Sequence, residues 1–255
     1  MLNLSGKTIL VTGASKGIGA AIAAALGEAG AHVVAHYGSD RAGVEAATRP
    51  IPPSRCLLVQ ADLGETADVE RLWREAVAWR GRIDVLVNNA AIMRLVGGID
   101  DTDDAWDRVW EETLRVNVLA PARLMRNAVR HFELTGGGII ITLSSWAAQR
   151  GPGNPALLAY ASSKAAVLTA TKTIARNYAK KNILAFAIAP GVVRTQLSVD
   201  AANAVGGEAA VTAGLAMGEW VPPSDVAALA AFLATGACRH LSGATLDVNG
   251  ATYIR

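Results

Sequence analysis

Short runs of consecutive apolar residues alternate along the chain with longer stretches in which apolar residues recur every three or four positions. Ile9-Leu10-Val11 is the first run, and Thr12-Gly13 stops it. Ile18, Ile22, Ala25 and Leu26 then share a helical face up to Gly30. The pattern predicts further strands at His32–Tyr37, Cys56–Gln60, Ile83–Val87, Ile139–Leu143, Ile183–Ala189 and Ala244–Val248. It predicts intervening helices at Arg41–Arg49, Glu65–Arg80, Asp103–Phe132, Pro155–Lys180 and Ser224–Leu233. Strands separated by helices of about ten residues call for parallel pairing, because parallel neighbours need a crossover. Val33-Val34-Ala35 and Ile139-Ile140-Ile141 are apolar throughout, as strands covered on both faces should be. The expectation is a doubly wound α/β domain spanning residues 1–255, about seven parallel strands with helices on both faces. The stretch from Gln196 to Trp220 has no clear period and reads as a substrate lid.

Composition narrows the class. The chain has 255 residues, with 51% hydrophobic and 18% charged positions. A chain of that kind can bury a full core without staples. Its two cysteines exclude a disulfide scaffold and point to a reducing, cytoplasmic setting. A formal charge of +2 makes no electrostatic case for nucleic acid. No run approaches the roughly 18 apolar residues of a membrane span. His32, His36, His131 and His240 show no metal-ligand spacing with Cys56 or Cys238, so no catalytic metal is expected.

The chemistry begins at Thr12-Gly13-Ala14-Ser15-Lys16-Gly17-Ile18-Gly19, between the first strand and the first helix. Small residues there let backbone approach a pyrophosphate, whose charge is met by free N–H groups at the helix start. Tyr160 and Lys164 lie one helical turn apart on a shared face. A tyrosine titrates near 10, and an ammonium within about 4–6 Å lowers that value. The pair can deliver a proton to a developing alkoxide, with the Ser145 hydroxyl bonding the same oxygen.

With this turn, Asn88-Asn89-Ala90 and Tyr160-Ala161-Ser162-Ser163-Lys164, the sequence resembles the short-chain dehydrogenase/reductase family, in its 3-oxoacyl-carrier-protein-reductase-like branch. The resemblance covers essentially the whole chain. It implies a Rossmann fold, a nicotinamide cofactor and a carbonyl or secondary-alcohol substrate. It makes Asn117, Ser145, Tyr160 and Lys164 the catalytic set, with Ser145 chosen over Ser144. Lys164 also binds the nicotinamide ribose, and Asn117 completes a proton relay. Gly13, Ser15, Lys16, Gly17, Ile18 and Gly19 hold the pyrophosphate side. Asp62 and Leu63 flank the adenine, and Asn89, Ala90 and Ala91 line the adenosine side. Val193 and Thr195, after Pro190-Gly191, meet the carboxamide. Family members are commonly tetramers through the two long helices, and a homotetramer is the expectation here.

NAD-preferring members place an acid at the end of the second strand, where this chain has Tyr37. Lys16, Ser39 and Arg41 are placed to meet a 2′-phosphate, so NADP(H) is favoured over NAD(H). Three positions depart from the family pattern: Ala91 and Ala251 replace glycines, and Phe186 replaces an asparagine. An alanine at 91 costs about 1 kcal/mol if φ there must be positive. Lys180-Lys181 fits the basic anchor of a carrier-protein reductase, whereas Thr135-Gly136-Gly137-Gly138 lacks the arginine. The reading is an NADP(H)-dependent reductase of a ketone. The alternatives are a 3-oxoacyl-carrier-protein reductase, an NAD-linked alcohol or polyol dehydrogenase, and a catalytically silent dinucleotide-binding protein. Trp146 and Trp220 are either pocket walls or packing residues.

Overall fold

The computed structural model describes residues 2–255. Seven strands form one sheet: β1 Thr8–Val11, β2 His32–Tyr37, β3 Cys56–Gln60, β4 Val85–Asn88, β5 Gly138–Leu143, β6 Ile183–Pro190 and β7 Thr245–Val248. Their order is β3-β2-β1-β4-β5-β6-β7, and every neighbouring pair is parallel. The helices are α1 Gly17–Glu28, α2 Arg41–Thr48, α3 Thr66–Arg80, α4 Asp103–Leu114, α5 Ala120–Thr135, α6 Ala147–Arg150, α7 Leu158–Tyr178, α8 Gln196–Asn203, α9 Gly207–Ala213 and α10 Pro223–Thr235. No helix among the described residues is long and apolar enough to cross a membrane.

Strand alternation sorts the apolar side chains into two cores. Ile9, Val11, Val33 and Ile141 face α1 and α10, packing with Ile22, Leu26, Val226 and Ala230. Leu10, Val34, Leu86 and Ile140 face the opposite layer and pack with Leu72, Trp73, Leu124, Met125 and Phe132. Phe186, the unusual residue of β6, is 1% exposed in the first core, so it is a packing residue. β1 and β4 are neighbours although β2 and β3 intervene in sequence, and the strand order reverses there. In such sheets ligands bind beyond the carboxyl ends of the strands at this switch point.

Three elements differ from the expectation. The helix from Asp103 runs on to Thr135, but a π-helical turn, Arg115–Leu119, interrupts it between α4 and α5. Residues 196–220 are not an extended loop, because α8 and α9 lie within them. Their periodicity is hidden because each helix spans only about two turns and is rich in alanine. The left-handed strain sits elsewhere too: Ala91 is not among the residues with positive φ, whereas Ala251 has φ 58°.

Candidate active site

The glycine-rich turn leaves the carboxyl end of β1 and enters α1. Gly13 takes φ 69°, and a Cβ there would stand 2.9 Å from the Ala90 Cα. Gly19 is packed tighter still, since a Cβ would lie 2.0 Å from the Gly13 carbonyl oxygen. Asn89 clamps this contact: its Nδ2 donates to the carbonyls of Thr12 (2.8 Å) and Gly13 (3.1 Å). The Thr12 hydroxyl accepts the N–H groups of Asn89 and Ala90 at 3.0 and 3.1 Å. These bonds join β1 to β4 at the switch point. No side chain caps α1, and its first turn carries no acid. Its leading N–H groups therefore suit an anionic ligand. The uncapped donors and the lack of an acid suit a pyrophosphate chemically.

The other expected cofactor residues surround the turn unequally. The Thr195 methyl lies against Gly17, where a Cβ would come within 3.0 Å of it, and the Thr195 hydroxyl caps α8 by accepting the Ser198 N–H. Ser15 donates to the Asp40 carbonyl at 2.9 Å, while Lys16 and Ser39 are exposed. Tyr37 is buried in the first core, and Leu63 is buried in the second. Exposed Asp62 accepts the Gly64 N–H at 2.8 Å. Arg41 pairs with Glu45 at 2.8 Å on the exposed face of α2, so its charge is already partly engaged. Gly191 donates to Val248 O, Pro190 O accepts the Trp146 N–H, and Val193 bridges to Val221.

Ser145, Tyr160, Lys164 and Asn117 converge from three elements. Ser145 follows β5 and is 7% exposed, and its Oγ accepts the Ala147 N–H at 3.1 Å. Tyr160 and Lys164 stand on the first turns of α7, with the lysine Nζ 5.7 Å from the phenol ring centre. Lys164 is 4% exposed and donates to the Leu143 carbonyl at 2.9 Å. Burial lowers its pKa from 10.5 to about 8. Burial also raises the Tyr160 pKa, partly offset by its hydrogen bond with Ser145. The ammonium was expected to draw the phenol down. Here desolvation dominates both groups, so Tyr160 is held as the neutral phenol, the form that can donate a proton.

Asn117 lies in the π-helical turn and is 2% exposed. Its Oδ1 accepts the Ile92 N–H and its Nδ2 donates to Ile92 O, both at 2.8 Å. Nδ2 also donates to Ser163 Oγ at 3.1 Å, and that hydroxyl donates to the Tyr160 carbonyl at 2.6 Å. The amide thus ties the segment after β4 to the turn of α7 that carries Tyr160. π turns recur at functional sites, and this one aims a side chain that an unbroken α-helix would direct differently. Ser163 was not among the expected site residues, and nothing in a serine's local sequence marks this bridge.

The two tryptophans divide. Trp146 is half-buried beside Gly191, with the Arg150 guanidinium 4.5 Å over its ring. Trp220 is 4% exposed and holds α9, donating from Nε1 to Thr212 at 2.8 Å. Arg194 stacks on the Trp220 ring at 4.9 Å and pairs with Glu208 at 2.7 Å. Lys180 and Lys181 correct an expectation. They follow the far end of α7, roughly 30 Å along the helix from Tyr160, and Lys181 pairs with Glu133. They line no part of this chain's own site.

A family model described as Enoyl-(Acyl carrier protein) reductase matches residues 13–251. A 3beta-hydroxysteroid dehydrogenase from Eggerthella lenta is 36% identical over 97% of this chain and 94% of its own length. The chain belongs to the short-chain dehydrogenase/reductase family. A versicolorin reductase from Emericella nidulans is likewise 36% identical, over 98% of this chain and 97% of that relative. A short chain dehydrogenase from Burkholderia cenocepacia, solved in complex with NADP, superposes with a TM-score of 0.87 at 33% identity, covering 98% of this chain and 99% of that one. The relatives are dehydrogenases and reductases, and this member of the family is an oxidoreductase using a nicotinamide dinucleotide.

Proposed function

We propose that this chain reduces a ketone to a secondary alcohol with NADPH, or runs the reverse oxidation, with Tyr160 as the acid/base. The observation that carries the reading is that Ser145, Tyr160 and Lys164 come together where β5 ends, at the same carboxyl edge of the sheet as the glycine-rich turn that follows β1. When bound, the dinucleotide supplies or accepts the hydride. Tyr160, held neutral by burial, gives its proton to the carbonyl oxygen as negative charge develops there. Ser145 accepts the Ala147 N–H and hydrogen-bonds the Tyr160 oxygen, so its O–H can turn from the phenol to the same substrate oxygen. Lys164 stabilises the phenolate left behind, and Asn117 fixes the first turns of α7 through Ser163. Lys164 and Tyr160 would hold the ribose, Gly13 to Gly19 the pyrophosphate, Asp62 to Leu63 and Asn89 to Ala91 the adenosine, and Pro190 to Thr195 the carboxamide. Lys16 and Ser39, with Tyr37 where an acid would select NAD, favour the 2′-phosphate. The NADP in the Burkholderia relative supports that choice. Helices α8 and α9 form the substrate lid. The groove of about 550 Å³ between α5 and α7, lined by Met125, Val129, Ile174 and Tyr178, is the contact with further copies in a homotetramer.

The test is NADPH oxidation with a panel of cyclic ketones, a steroid ketone and a 3-oxoacyl thioester. Tyr160→Phe should lose at least about 100-fold in turnover at saturating NADPH. Unchanged turnover would overturn the mechanism. Cofactor binding without turnover of any carbonyl would leave the catalytically silent reading. NADPH should bind at least about tenfold tighter than NADH, a gap of about 1.4 kcal/mol. A Lys16→Glu protein that keeps its NADPH affinity would sink the 2′-phosphate assignment.

A further inference from the structure

β2 is apolar from Val33 to Ala35 and then buries a histidine, His36, at 2% exposure. Both ring nitrogens are engaged by backbone. The Gly13 N–H donates to Nδ1 at 3.0 Å, and Nε2 meets the Ala61 carbonyl oxygen at 3.0 Å. An amide N–H can only donate and a carbonyl can only accept. The ring is therefore neutral, with its proton on Nε2. A protonated ring would set an N–H against the Gly13 N–H. The main chain of the same residue adds a third bond, because the Ala14 N–H donates to His36 O at 2.8 Å.

The residues that open the glycine-rich turn, Gly13 and Ala14, thus both hang from residue 36, while Asn89 grips the turn from the other side. Gly13 needs this double hold. Its peptide sits at positive φ against the Ala90 backbone, and its carbonyl leaves no room for a side chain at Gly19. The His36 acceptor also takes the Gly13 N–H out of competition for ligand, which leaves anion binding to the donors opening α1. The charged groups facing the ring are the carboxylates of Asp62 and Asp68, and burial outweighs their pull toward the protonated form.

We propose that His36 is a positioning residue for dinucleotide binding, its Nδ1 fixing the Gly13 peptide so that the turn is already shaped for the pyrophosphate. This rests on reading the turn as the dinucleotide site. The pyrophosphate is common to both cofactors, so losing the acceptor weakens NADPH and NADH equally. A disturbance of neighbouring Tyr37 and Ser39 would instead change the ratio between them.

The experiment measures dissociation constants for NADPH and NADH on the full chain by tryptophan fluorescence, in the wild type, His36→Leu and His36→Asn. Asparagine places its Oδ1 where Nδ1 stands and can accept the Gly13 N–H, though it does not reach Ala61. His36→Leu should bind both dinucleotides at least tenfold more weakly, with their ratio unchanged and kcat at saturating cofactor within twofold of wild type. His36→Asn should stay within about threefold of wild type for both. Equal affinity in wild type and His36→Leu overturns the proposal and leaves the dinucleotide reading standing. So does a selective loss of NADPH. A wild type that binds neither dinucleotide overturns both. Should His36→Leu fail to fold, nitrogen-15 spectra of the wild-type ring decide the matter. The Nε2–H tautomer, with Gly13 amide exchange slowed at least tenfold by NADPH, supports it. An Nδ1–H tautomer or an unprotected Gly13 amide overturns it.

Discussion

Lys164→Met replaces a buried ammonium by an uncharged side chain of similar length, and it tests how the site holds its charge. The lysine is 4% exposed, and burial brings its pKa from 10.5 to about 8. The unfolded chain keeps that proton up to its ordinary value, so between about pH 8 and 10.5 the unfolded state binds more protons than the folded one. Stability then rises with pH across this window, and the gain is lost as pH falls back through 8. From about pH 7 to 9.5 the two-pKa expression gives about 2 kcal/mol, and the full shift corresponds to about 3 kcal/mol. Urea unfolding of wild type and Lys164→Met at both pH values isolates the lysine, because other groups titrate alike in the two proteins. The wild type should gain that same increment on the variant at the higher pH. A difference that stays flat, or runs the other way, would refute a desolvated lysine. It would instead mean that hydrogen bonding to the Leu143 carbonyl holds the charge at its ordinary pKa. The variant should also lose turnover at either pH.

Three further outcomes follow from the geometry. Ala251→Gly relieves a left-handed alanine at φ 58° and should raise stability by about 1 kcal/mol; an unchanged urea midpoint would show the strain to be negligible. Trp220→Phe removes the 2.8 Å bond to Thr212, worth about 1 kcal/mol. Amides of α9 should then exchange about fivefold faster, and unaltered exchange would mean that the Arg194–Glu208 pair holds α9 without it. His36, buried beside Asp62 and Asp68, has its pKa lowered to about 4. As pH falls from about 6.5 to 4 the unfolded state takes up a proton that the folded state refuses, costing the wild type about 3 kcal/mol. A folded His36→Asn protein should lack that part of its acid destabilisation, and parallel acid curves would place the histidine's pKa near its ordinary value.

Much of the architecture is written in local pattern. Seven apolar runs separated by amphipathic stretches determined the strand count, and the crossover lengths determined that the strands pair in parallel, since each constraint acts within one strand–helix unit. The glycine turn, Ser145 and the Tyr160–Lys164 spacing were legible for the same reason: a helical turn or a tight bend is set by its own residues. What required the tertiary structure were contacts between segments far apart in sequence. Asn117 could be named as a candidate, but the partners that fix its side chain, Ile92 and Ser163, approach it from 25 and 46 residues away. His36 reads as a flaw in an apolar strand until Gly13 and Ala61 close around it from either side. Helix spacing brought Lys164 within reach of Tyr160, yet the direction of both pKa shifts came from burial, which no spacing encodes. Lys180 and Lys181 make the same point in reverse. Their charge is plain in the sequence, and only the length and direction of α7 place them at the far end of the molecule from the chain's own site. Desolvation and the meeting of remote backbone groups are properties of the packed whole, so the chemistry of these residues is decided there.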